Sequence, residues 1–389
     1  MSAPGGERAA RSPVPLPDFP WDALAPAAAV ARAHPDGIVD LSVGTPVDPT
    51  PPLLREALTA AADAPGYPLT AGSTALREAA AGWLTRVLAA PAGTAVLPTI
   101  GSKELVALLP SLLRVRGDVL VPEVAYPTYD VGARLAGARP VRDWTADVGL
   151  VWLNSPSNPT GHVLTADTLR EVVARARAQG ALVVSDECYV ELCYGGEAPV
   201  SVLSVLGPDA GDLTGVLAVH SLSKRSSAAG YRLGLVSGDP ALVAELLEVR
   251  KHAGLIVPAP VQAAGVAAFG DDAHVAGVRA TYAARRAVLL AALEGAGLHS
   301  DGGPAGLYLW VTRNEPCWDT VGWLAERGVL VAPGEFYGAA GARHVRVALT
   351  ATDERVAAAA ARLGSAGLGW AGLGSDGLGS DGLGSRLQG

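Results

Sequence analysis

Four short segments carry residues that could act together on one ligand. The first is Ser221-Leu-Ser-Lys224, with Arg232 eight residues on. Lys224 follows an apolar run ending at His220, and lysine is scarce here: Lys103, Lys224 and Lys251 are the only three among 30 basic residues. An amine at a strand end, beside the hydroxyls of Ser221 and Ser223, can condense with an aldehyde if its ionisation is lowered by burial or a nearby cation. Arg232 supplies an anion partner. Taken alone, Lys224 reads more readily as a surface lysine before a turn.

The second segment is Val183-Val-Ser-Asp186, followed by Tyr189. A carboxylate at the carboxyl end of a buried strand needs a cation, and a protonated ring nitrogen would serve. The bland alternative is an Asp that caps the next helix. The third is Asn154-Ser-Pro-Ser-Asn158-Pro-Thr-Gly161, whose turn chemistry could aim the Asn158 amide at a phenolic oxygen or simply close a loop. The fourth is Ile100-Gly-Ser102-Lys103, at the start of a helix expected over 102–113; backbone N–H groups and a hydroxyl there suit a phosphate. Tyr126 follows another strand and could stack on a planar ring or pack in the core. Jointly these groups demand a phosphorylated aromatic aldehyde with a ring nitrogen and a phenol, which is pyridoxal 5′-phosphate.

The elements that must position these groups follow from hydrophobic patterning. Apolar runs at 38–43, 119–121, 150–153, 181–185 and 215–220 read as strands buried on both faces, as in a parallel sheet. Amphipathic stretches lie between them. Thr165–Gln179 is closed by Gly180, and Asp239-Pro240 opens another helix. This alternation predicts an α/β domain over 38–270. Residues 19–37 and 271–363, with a long Ala- and Arg-rich helix and three later apolar runs, read as a smaller α+β domain. Residues 1–18 read as a flexible arm and 364–389, with a Gly-Leu-Gly-Ser repeat, as a low-complexity tail.

Composition narrows the function classes. The chain has 389 residues, a net charge of -8 and 49% hydrophobic residues, which excludes a disordered polymer and disfavours nucleic acid as partner. No apolar run reaches the roughly 18 residues of a membrane span, and no signal peptide is visible. Three cysteines suit a reducing cytoplasm. Cys188 and Cys193, spaced C-x4-C without a second pair, read as small hydrophobes rather than metal ligands.

The motif set, from about Phe19 to Leu363, resembles the fold-type I class I/II aminotransferases. Longer stretches, such as 37–49, 123–137 and 345–356, are similar to actinobacterial N-succinyldiaminopimelate aminotransferases of lysine and diaminopimelate biosynthesis. The resemblance implies a large domain with a mostly parallel mixed sheet between helices, plus a smaller α+β domain. It implies that Lys224 holds pyridoxal phosphate as an imine, Asp186 keeps the pyridine nitrogen protonated, and Tyr189 and Asn158 reach the phenolic oxygen. Ser102, the Lys103 amide, Ser221, Ser223 and Arg232 would hold the phosphate, and Tyr126 would stack on the ring. Arg346 would bind the substrate α-carboxylate under the loop that carries Gly44. Tyr67 would reach the phosphate of a second subunit, which implies a homodimer with shared sites and a cytoplasmic enzyme acting on amino and oxo acids. Rival readings on the same scaffold are an aspartate or aromatic aminotransferase, a C–S lyase or a decarboxylase. A ligand-sensing module is the rival from outside enzymology.

Overall fold

The computed structural model describes residues 16–206 and 213–364. Most of the arm expected over 1–18 and nearly all of the tail expected over 364–389 lie outside the described residues.

The first strand corrects one expectation. β1 (Val39–Asp40) does not enter the large sheet. It pairs in parallel with β11 (Val329–Leu330), and Val39 and Leu41 pack with the helices Ala25–Arg32, Ala273–Gly295 and Cys317–Ala325. A short apolar run announces a buried strand but does not name its partner.

The large sheet has seven strands: β2 (Ala95–Thr99), β3 (Asp118–Leu120), β4 (Arg139–Val141), β5 (Val148–Asn154), β6 (Leu182–Asp186), β7 (Val216–Ser221) and β8 (Gly234–Gly238). Their spatial order is β2-β8-β7-β6-β5-β3-β4, with β8 antiparallel to both neighbours and the rest parallel. Side-chain alternation explains why these strands read as continuous apolar runs. Leu150, Trp152, Val184 and Leu217 pack on one face with Leu105 and Leu109, and Val151, Leu153, Val183 and Ala218 pack on the other with Leu169 and Trp83. Both faces are covered by helices, so neither can be polar.

The second sheet is antiparallel, in the order β12 (Ala332–Pro333), β13 (Val345–Ala348), β10 (Tyr308–Thr312) and β9 (His299–Ser300). It packs with the same helices as β1 and with the helix Asp353–Arg362.

Caps follow the local sequence. Thr165 accepts from the Thr168 amide and opens the helix Ala166–Ala178, and Gly180 (φ 71°) closes it. Asp239 accepts from the Ala241 and Gly215 amides and opens Pro240–Ala253. Within that helix the buried Arg250 forks onto Glu104 at 2.8 and 3.1 Å, and Glu104 also accepts from the Ile100 amide at 3.3 Å. This chain of contacts pins the start of the helix Gly101–Leu112 to the helix Pro240–Ala253. The adjacent Lys251 is exposed and, among the described residues, pairs with Glu248 at 2.5 Å. Among the described residues, no helix is long and apolar enough to cross a membrane.

Candidate active site

The register of the large sheet gathers the chemistry at one end. Asn154 pairs with Asp186, and Asp186 pairs with Val219, two residues before Ser221. Thr99 and Ser221 both pair with Gly234, so the helix that begins at Gly101 starts beside the strand that leads into Lys224. A cavity of about 690 Å³ opens there, closed on its far side by Tyr308 and Arg346 of the second sheet. Gly44, Ser102, Lys103, Tyr126, Asn158, Asp186, Tyr189, Ser221, Ser223, Lys224 and Arg232 all line it. Tyr67 does not: it is fully exposed and lines a separate apolar groove with Leu69, Ala259 and Val266.

One end of the cavity suits an anion. The helix Gly101–Leu112 has no side-chain cap, so its first N–H groups are left for a ligand. Gly101 has φ 70°, and a Cβ there would run into the Arg232 guanidinium. That guanidinium is held by the Ala229 carbonyl at 2.8 Å and the Ile100 carbonyl at 3.5 Å, with no carboxylate partner among the described residues. The Ser221 hydroxyl donates to the Ser223 hydroxyl at 2.9 Å. Substituting Gly101→Ala is expected to cost about 1–2 kcal/mol in backbone strain and to displace the guanidinium. Titrating the cofactor-free variant with pyridoxal phosphate should show at least about tenfold weaker binding.

The middle of the cavity suits a ring with a basic nitrogen. Asp186 is buried, and burial pushes its carboxyl above the usual range, opposed by hydrogen bonds from Cys188 and Tyr129 and by His220. The Tyr129 hydroxyl donates to Asp186 Oδ2 at 2.8 Å, and the Cys188 amide donates to Oδ1 at 3.1 Å. No cation pairs with this carboxyl among the described residues; a pyridinium would restore its charge. Tyr129 is itself fully buried, stacked on Trp152 with ring centroids 5.0 Å apart, and edge-on to Tyr126. Replacing Tyr129 by Phe removes one donor from a buried carboxyl. A denaturant titration is expected to show a loss of about 1–3 kcal/mol.

Lys224 projects into the cavity from the short helix Leu222–Arg225, and its amine donates to the Gly44 carbonyl. Burial lowers its ionisation below the ordinary lysine value; Arg346 and Arg232 lower it further, and Tyr308 and Cys188 oppose them. That is the direction in which an amine must shift to act as nucleophile and base.

Arg346 sits at the far wall, 3% exposed. The register places it opposite Trp310 and on the same face as Tyr308, whose ring it covers at 3.9 Å. One terminal nitrogen donates to Asn158 Oδ1 at 3.1 Å and the other to the Ser42 carbonyl at 2.6 Å, while Nε has no partner. A buried guanidinium with an idle N–H and no carboxylate partner among the described residues is arranged for an anionic ligand. Asn158 is fixed in turn: its amide donates to Asn154 Oδ1 at 2.7 Å, and the Asn154 side chain donates to the Asp186 carbonyl at 3.0 Å.

Sequence reasoning missed Tyr129, Cys188 and Tyr308 as site residues. Tyr129 was visible as the second tyrosine of Tyr126-Pro-Thr-Tyr129, and Cys188 lies between Asp186 and Tyr189. Tyr308 had no signal beyond an apolar strand, because only the packing of the second sheet brings it to the cavity.

An uncapped helix start beside an arginine, a buried carboxyl without a cation and a buried amine define a pyridoxal 5′-phosphate enzyme of fold type I. The family profile for aminotransferase class I and II matches residues 36–363, and the chain belongs to that family. A probable aminotransferase of Mycobacterium tuberculosis is 63% identical over 358 residues, covering 90% of this chain and 85% of the relative. The 4-dedimethylamino-4-oxo-anhydrotetracycline transaminase of Streptomyces rimosus is 59% identical over 360 residues, covering 90% and 99%. The solved structure of a probable N-succinyldiaminopimelate aminotransferase from Thermus thermophilus is 31% identical with a TM-score of 0.78, covering 89% of this chain and 99% of that one. The chain is a pyridoxal phosphate-dependent aminotransferase.

Proposed function

We propose that the enzyme moves an amino group between N-succinyl-LL-2,6-diaminopimelate and 2-oxoglutarate, giving N-succinyl-2-amino-6-oxopimelate and L-glutamate, within lysine and diaminopimelate biosynthesis. The observation that carries this reading is Arg346, a buried cation with an unused N–H at the far wall of the cavity. Donor and acceptor both present a carboxylate next to the reacting carbon, which such a guanidinium takes as a bidentate partner. Lys103 adds an exposed cation at the cavity, without a side-chain partner among the described residues, for the distal carboxylates. The likeness to the Thermus thermophilus protein supports the same choice.

The site residues take the following parts. Lys224 would hold the cofactor, and its free amine would take the proton from the substrate α-carbon and pass it to the cofactor's aldehyde carbon rather than back to the carbon it left. Asp186 holds the ring nitrogen, with Tyr129 keeping the carboxyl in place. Tyr189 and Asn158 face the phenolic oxygen, and Tyr126 covers the ring. The first N–H groups of Gly101–Leu112, Ser102, Ser221, Ser223 and Arg232 hold the phosphate. The bound cofactor supplies the electron sink that stabilises the substrate carbanion. Tyr67 belongs to the neighbouring site of a homodimer: a fully exposed tyrosine beside an apolar groove suits a surface covered by a second copy. The enzyme is cytoplasmic in this reading.

A second reading has one observation in its favour. The Streptomyces rimosus relative is named for a polycyclic ketone, and the mouth of this cavity is aromatic, with Phe19 and Trp21 beside Tyr126. Single-turnover absorbance changes with succinyl-diaminopimelate, aspartate, phenylalanine and cystathionine separate the donors. The proposal expects the first to react fastest. An equal or faster reaction with another donor, or a preference for a polycyclic ketone over 2-oxoglutarate as acceptor, would contradict it.

A further inference from the structure

Tyr308 lines the cavity and has no part in the assignments above. It is 5% exposed, and neighbours crowd both its ring and its hydroxyl. The ring lies under the Arg346 guanidinium. The hydroxyl oxygen is 3.4 Å from the Tyr189 hydroxyl, with the two rings edge to face at 6.0 Å. On its other side is Gly44, where a Cβ would overlap the Tyr308 hydroxyl. The carbonyl of that same Gly44 accepts from the Lys224 amine. Amine and phenol therefore meet at one backbone residue, and only glycine leaves room for both.

We propose that the Tyr308 hydroxyl is a positioning residue for Lys224, accepting a hydrogen bond from its nitrogen and donating its own proton to the Tyr189 oxygen. When the amine takes the substrate α-proton, the C–H bond breaks, an N–H bond forms and the nitrogen becomes an ammonium. Tyr308 then faces a full positive charge with its oxygen lone pair. When the ammonium gives the proton up, that interaction relaxes, and Tyr308 carries no net proton through the cycle. The role is independent of which amino donor is used.

The electrostatics agree with this placement. Tyr308 acts to raise the ionisation of Lys224, against burial and the charges of Arg346 and Arg232, with Cys188 on the same side as Tyr308. Burial pushes the Tyr308 phenol up, but Arg346, Lys224 and the Tyr189 contact outweigh it and leave it below the ordinary tyrosine value. Burial and Tyr308 hold Tyr189 well above that value. Neighbouring groups pushed apart in this way have distinct proton-handling parts.

Tyr308→Phe in the holoenzyme tests the proposal, because the ring that carries Arg346 remains and only the hydroxyl is lost. The KM for the amino donor should stay within about threefold, and kcat should fall about 10- to 100-fold, at or below the lower end of what a proton-handling group contributes. Removing a group that favours the protonated nitrogen should shift to lower pH both the acid limb of kcat and the pH midpoint of the lysine-bound cofactor's absorbance band. An unmoved midpoint, or a rise in KM alone, would overturn the proposal; the second result would make Tyr308 a carboxylate-binding residue. The double variant Tyr189→Phe with Tyr308→Phe should cost less than the product of the single effects, since both hydroxyls lie in one chain. Strict multiplication of the two effects would also overturn it.

Discussion

Lys224→Ala is expected to bind pyridoxal phosphate without the absorbance band of a lysine-bound cofactor and to turn over about 10⁴-fold more slowly. That figure is the upper end of what a positioned acid–base group supplies, and Lys224 is also the nucleophile. Lys224→Arg should be as inactive, because a guanidinium stays protonated and cannot condense with the aldehyde. The comparison separates charge from chemistry. Both variants should fold: the amine makes one hydrogen bond, to the Gly44 carbonyl, and its burial works against its charged form. A folded amine with a lowered pKa binds its proton less tightly than the unfolded one. The cofactor-free wild type should therefore gain stability as pH rises toward the ordinary lysine range. In Lys224→Ala that component of the pH dependence should vanish. A Lys224→Ala enzyme that keeps wild-type turnover would remove the basis of the mechanism.

The second large effect is expected at Arg346. Arg346→Met keeps most of the stem and removes the charge. Truncating one partner of a buried, hydrogen-bonded charge pair costs about 2–5 kcal/mol, so kcat/KM for amino acid donors should fall by roughly 30- to 4,000-fold. The loss should fall mainly on KM, because the α-carboxylate is bound in the ground state as well as in the transition state. The cofactor should still bind, since Arg346 lies across the cavity from the phosphate end, but the pH midpoint of its absorbance band should move up, because Arg346 works to lower the ionisation of Lys224. The thermal midpoint of the cofactor-free protein should not drop. Without substrate, Arg346 is a buried cation with one idle N–H, and its desolvation is met only by two acceptors and by aromatic faces. Steady-state kinetics and a thermal melt on one preparation check both halves. An Arg346→Met variant with an unchanged KM would show that the guanidinium does not bind substrate.

The ends of β5, β6 and β7 were legible because each apolar run stops at a residue with a polar function: Asn154, Asp186 and Ser221. Their adjacency was not legible, since it depends on sheet order. β2 and β8 escaped notice for a physical reason. β2 contains Pro98, which a sheet tolerates at an edge, and β2 is an edge strand. β8 is bounded by Gly234 and Gly238 and holds only two large apolar residues. The run at 38–43 was read as a strand correctly but placed in the wrong sheet, because pairing with β11 brings together segments almost 300 residues apart. The site shows the same division. Residues in local motifs, such as Asn158, Lys224 and Arg232, were found from their neighbours in sequence. Tyr308 could not be, because its relation to Gly44, Lys224 and Tyr189 exists only when the second sheet closes on the first.

The three lysines allow one direct test of the central claim, that Lys224 carries the cofactor. Borohydride reduction of the holoenzyme fixes the cofactor to whichever amine holds it, and peptide mass mapping then locates it. The expected result is one modified peptide, the one containing Ser221-Leu-Ser-Lys224. Lys251 is tied to Glu248 on the outer surface of its helix, and Lys103 lies at the phosphate end. Modification at Lys103 or Lys251, or no modified peptide from a cofactor-loaded protein, would contradict the account.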